Sequence, residues 1–157
     1  MATIEEIRKD LKWPDDGGAF ADAPRWVTTR MKCYLPRILA DLLALITRDV
    51  VEFNDLPAFL RHDRKFDVEL GNRLGDPPPS FEIHRIEPTP KAKVVTLEDR
   101  GNSIAVTRAN GDVETIHLKW DAQAIACHLL LNKRRVEAWE ISQQILDPLF
   151  CGHETDS

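Results

Sequence analysis

The sequence predicts an α+β protein: a helical N-terminal half, then an antiparallel β-hairpin or meander followed by a two-helix hairpin. Three observations carry this. Residues 36–47 hold Ile38, Leu39, Leu42, Leu43, Leu45 and Ile46 at helical spacing, with Arg37, Asp41 and Arg48 off that face. Asn110-Gly111 lies between two β-rich runs, and both residues tolerate the positive φ of a hairpin turn. After Asp121, the apolar positions Ile125, Leu129 and Leu130, then Val136, Trp139, Ile141, Ile145 and Leu146, recur at intervals that suit two helices.

Taken in order, Thr3-Ile4-Glu5-Glu6 fits a capping box opening a short helix to about Lys12, with Pro14 stopping it. Asp15-Asp16-Gly17-Gly18 reads as a loop. Pro24 suits a first helical turn, with a second helix through Trp26, Arg30 and Cys33. Pro36 ends or kinks that helix and is well placed to open the third, and Asn54 or Asp55 can cap another through Leu56, Phe59 and Leu60. Strands follow at Val94–Leu97, Ser103–Thr107 and Val113–Leu118, with a turn at Asp99-Arg100-Gly101-Asn102. A two-residue turn at Asn110-Gly111 would set Thr107 opposite Glu114 and Ala105 opposite Ile116. Asp121 caps the first helix of the hairpin, Lys133-Arg134-Arg135 breaks the pattern, and the second helix ends before Pro148. In that hairpin Trp139 fills the angle between the helices.

The expected organisation is a mainly helical region 1–74, a proline-rich linker 75–80, a β-hairpin plus helix-hairpin unit 81–150, and a tail 151–157. The linker rests on Pro77-Pro78-Pro79, which lack N–H donors and have fixed φ.

At 157 residues the chain can bury a core without metal or disulfides. Its net charge of −5 excludes a polybasic nucleic-acid binder acting through bulk charge, though a local basic face remains open. Three cysteines, Cys33, Cys127 and Cys151, are too few and too odd for a disulfide scaffold, and reduced thiols are expected. The first ten residues are charged, and Ile38–Ile46, interrupted by Asp41, is far shorter than the roughly 20 apolar residues of a membrane span. A cytoplasmic protein without membrane contact is the expectation.

The stretch Leu118–Ile141, and more broadly residues 94–146, resembles the strands and first two helices of winged-helix DNA-binding domains of the response-regulator type. Asn132, Arg135, Val136, Glu140 and Ile141 match that family's pattern, and Ala138 stands where it has a helix-capping serine. After residue 146 too little chain remains for the family's recognition helix and wing, so the resemblance implies a truncated unit. It implies docking on nucleic acid, with Lys133, Arg134 and Arg135 on phosphates.

A second basic run supports the same chemistry. Residues 23–40 hold no acid but carry Arg25, Arg30, Lys32 and Arg37, interleaved with Trp26 and Tyr34. Arginines seven residues apart share a helix face and can neutralise phosphates, while Trp26 can stack on a base. The same residues equally suit a solvated outer face.

No cofactor or metal site is expected. Cys127-His128 diverge on one helix, and no C-x₂-C or H-x₃-H spacing occurs. Catalysis has little support: His62-Asp63 and Asp15-Asp16 are adjacent pairs, and no P-loop, G-x-S-x-G or G-x-G-x-x-G is present. The sequence therefore points to a non-enzymatic regulatory or adaptor protein that acts by docking. Its partner is nucleic acid or, as the alternative, another protein, in a subunit or immunity-type inhibitor role. A small hydrolase ranks third.

Overall fold

The computed structural model describes residues 2–10, 22–71 and 79–151. Its centre is one seven-stranded antiparallel sheet in which every strand pairs with its sequence neighbour, β1 to β7 in order. The strands are β1 (Lys65–Leu70), β2 (Ser80–Glu87), β3 (Lys91–Asp99), β4 (Ile104–Arg108), β5 (Val113–Asp121), β6 (Ala126–Leu131) and β7 (Arg134–Val136). Three helices precede them, α1 (Ile4–Asp10), α2 (Val27–Met31) and α3 (Leu35–Asn54), and α4 (Ala138–Phe150) follows.

Alternation along each strand puts one apolar set on a single face. Phe81 and Ile83, Val95 and Leu97, Ile104 and Val106, Ile116, Leu129 and Val136 are all buried there. Leu39, Leu42, Ile46, Val50 and Phe53 of α3, and Ile141, Ile145, Leu146 and Leu149 of α4, close the core over them. Each fully buried Phe, Leu or Ile contributes roughly 1.5–3 kcal/mol. The two helices run in the same sense. Ser142 Oγ donates to Asp49 Oδ2 at 2.7 Å, and further along Phe53 and Phe150 stack with centroids 3.9 Å apart.

Polar groups finish the packing at two awkward places. Pro148 lies inside α4 and offers no N–H to the carbonyl of Gln144. Arg108 Nη2 donates to that carbonyl instead, at 3.0 Å, while its Nε holds Glu114. At the sheet edge, Asn54 Nδ2 donates to the Phe66 carbonyl and Asn54 Oδ1 accepts from the Phe66 N–H. One side chain thus occupies a backbone pair that edge strand β1 cannot give to a neighbour.

Several expectations hold. Thr3 and Glu6 form the capping box, α3 covers the predicted apolar helix and runs on to Asn54, and Gly111 takes a φ of +92°. The predicted fold class does not hold. The N-terminal half is not wholly helical, because Lys65–Leu70 alternates polar and apolar residues and forms β1. The two-helix hairpin is absent: residues 126–136 are β6 and β7, joined at Asn132 and Lys133, both at positive φ. The apolar run Ala126–Leu131 fits a strand at this length as well as a helix, and the two left-handed residues decide for a hairpin.

Two further corrections follow. The β4–β5 turn has three residues rather than two, so Thr107 pairs with Val113 and Ala105 with Thr115. That one-residue slip moves Ile104, Val106, Ile116 and Leu118 onto one face. Trp139, expected between two helices, is 59% exposed, since with no first helix there is no angle to fill. The proline-rich residues 75–78, the loop at 15–18 and the tail beyond Cys151 lie outside the described residues; Pro79 and Ser80 lead into β2. No helix among the described residues is long and apolar enough to cross a membrane.

Candidate docking site

Where α2 meets the β5–β6 turn, the chain forms an aromatic cleft of about 370 Å³ lined by Pro24, Trp26, Trp120, Ala122 and Ile125. It continues into a second hollow of about 360 Å³ lined by Pro24, Arg25, Trp26, Val27 and Thr28. Trp26 is half in solvent, and Val27, Met31 and Tyr34 are exposed beside it. Arg30 sets its guanidinium 5.4 Å from the centroid of the Trp120 ring, within cation–π range.

Local chemistry explains why the cleft has this shape. Asp121 ends β5, and its Oδ1 accepts from the backbone N–H groups of Gln123 and Ala124. Asp121 therefore does cap, as the sequence suggests, but it caps a tight turn and not a helix. The Ala124 N–H, then the His128 ring at 3.2 Å, hold its carboxyl below the usual aspartate range. The turn closes with Ile125 at φ +50°, a left-handed conformation that a β-branched residue rarely adopts. On the other wall, Cys33 is joined to Cys127 by a disulfide, which pins the α2–α3 junction to β6 beside Trp120. The expectation of reduced thiols is thus corrected for this pair, and Cys151 is the free cysteine. Two cysteines 94 residues apart give no local pattern from which a pairing could be read.

The basic residues singled out in the sequence divide into two groups. Arg25, Trp26 and Arg30 meet at the cleft, and Lys32 is exposed just after α2. Arg37 does not share a helix face with Arg30, because α2 ends at Met31 and Tyr34 is extended. Its Nε pairs with Asp41 at 3.1 Å. Lys133 and Arg134 lie at the β6–β7 turn, a strand's length from Cys127, roughly 20 Å at 3.3 Å per residue. Arg135 turns back along β7 opposite Leu130 and, with His128 and Ile38, lines a separate hollow of about 320 Å³. A strand end hides Trp120 and a presumed helix core hides Ile125, and Cys127-His128, set aside as ligands on the expectation of a helix, lie instead on strand β6.

No protein-family model, no curated protein and no solved structure matches this chain.

Proposed function

We propose that the protein is a non-enzymatic docking module whose aromatic cleft receives an acidic protein segment bearing an aromatic or aliphatic anchor. The observation that carries this is the pairing of Trp26 and Trp120 across an apolar cleft, with Arg30 on one ring and Arg25 at the rim. Trp, Tyr and Arg in a partly desolvated pocket are the residue types that dominate binding energy at interfaces. The exposed Val27, Met31 and Tyr34 extend the apolar surface, and the acid-free run 23–40 gives it a positive rim on an otherwise acidic chain. Single-stranded nucleic acid is the second reading, favoured by the same Trp26 and arginines as stacking and phosphate groups.

The test is selection of displayed peptides against the parent protein, then titration of the best binders, and of an oligothymidine, against Trp26→Ala and Arg30→Gln. Acidic, anchor-bearing peptides that bind the parent and lose roughly tenfold or more affinity in Trp26→Ala support the proposal. Peptides indifferent to Trp26 overturn it. Oligothymidine binding that depends on Trp26 and falls steeply with salt, without peptide binding, establishes the second reading instead.

A further inference from the structure

On the sheet face turned away from α3 and α4, the neighbouring strands β1 and β2 put Glu69 directly opposite Glu82. Like charges so placed repel, and a cation between them relieves that repulsion. His84, two residues on from Glu82, shares that face. Its Nε2 lies 2.9 Å from Glu82 Oε2 and 3.6 Å from Glu69 Oε2, and the three donor atoms all fall within 4.8 Å of one another. Glu82 and His84 are largely shielded from solvent, whereas Glu69 is exposed and closes the group from outside. Gly71, just past β1, packs closely against Ser80: a Cβ there would run into Ser80 Oγ.

We infer that Glu69, Glu82 and His84 bind a divalent transition-metal ion of the zinc class. The donor set is one imidazole nitrogen and two carboxylate oxygens, which suits zinc, cobalt or iron rather than the all-oxygen shells of calcium and magnesium. Metal–ligand bonds of about 2.0–2.2 Å span donor atoms roughly 3–3.6 Å apart, so small side-chain rotations bring all three onto one ion. The ion's two positive charges cancel the two carboxylates, and a fourth position is left to water. Glu82-x-His84 escapes a search keyed to Cys and His spacings, because its third member comes from the neighbouring strand. The site shares no residue with the aromatic cleft and stands or falls independently of it.

Cobalt(II) titration of the full chain tests the inference, with visible d–d absorption as the readout and zinc as competitor. The expected result is one equivalent of cobalt, displaced by zinc, in the parent and in Cys151→Ser. Loss of an outer partner alone costs about 10–100-fold in metal affinity, so Glu69→Gln and His84→Gln should lose at least that much. Glu69 is exposed, so Glu69→Gln keeps the test valid even if His84→Gln folds poorly. Absorption that survives Glu69→Gln and His84→Gln, or that vanishes in Cys151→Ser, overturns the inference. So does a parent that binds no cobalt.

Discussion

Replacing Asn54 by Ala strips two hydrogen bonds from the backbone of a single residue. Asn54 Nδ2 reaches the Phe66 carbonyl at 2.8 Å, and the Phe66 N–H reaches Asn54 Oδ1 at 3.1 Å, at the point where the β1–β2 register shifts. Phe66 is 1% exposed, so water reaches its freed groups poorly. An unsatisfied buried backbone group costs about 1–3 kcal/mol, and edge position allows partial rehydration, so the pair should cost about 2–4 kcal/mol. For a chain of this size that lowers Tm by about 5–12 °C, and the urea midpoint falls at unchanged slope. Asn54→Asp sharpens the test. It keeps the acceptor for the Phe66 N–H but sets a carboxylate against the Phe66 carbonyl, so it should lose about as much as Ala at neutral pH. Circular dichroism through a urea series measures both variants. A loss below about 0.5 kcal/mol in Asn54→Ala would show that β1 is held by its β2 ladder alone.

Three other outcomes are expected. Ile125→Asn relieves a left-handed β-branched residue while losing one half-buried side chain, so thermal stability should change by less than about 1 kcal/mol as peptide binding at the cleft falls; a loss above about 2 kcal/mol would contradict the account of strain. The Asp121 carboxyl is held below its ordinary value of 3.8, so its contribution is present above that pH and is lost as pH falls through the lower folded-state value; melting curves over acid pH should show a shallower decline in Asp121→Asn, and parallel declines would refute the cause. Asp147 accepts from the Cys151 thiol at 3.3 Å and raises its pKa, so Cys151 should alkylate more slowly than a free thiol and speed up in Asp147→Asn.

The parts of the fold that were legible are those with a local cause. Pro36 and the 3.6-residue apolar period define the start and face of α3, and the left-handed glycines mark Gly101 and Gly111. β1 was equally legible, since Lys65-Phe66-Asp67-Val68-Glu69-Leu70 alternates without a break, but the helical signals around it drew it into a helical half. The β6–β7 hairpin was hidden for a physical reason. Its turn uses Lys133 where a glycine would announce positive φ, and its strands read as helix because apolar residues fill both faces of β6. Half of the cleft, Arg25, Trp26 and Arg30, came from composition along one segment. Trp120 and Ile125 belong to it only through the fold, and so does the bond between Cys33 and Cys127.

That bond also gives the protein a mechanical topology. Residues 33–127 form a covalent ring holding α3 and the first five strands, while the rest of β6, β7 and α4 follow as open chain that only non-covalent contacts keep packed against it. Tension applied between the two ends of the chain bypasses the ring. It peels α4 and the β6–β7 hairpin away and leaves the 94-residue span coiled, withholding about 320 Å of contour at roughly 3.4 Å per residue. Only a reductant converts that hidden length into extension, so under load the oxidised protein keeps a closed loop that the reduced one does not.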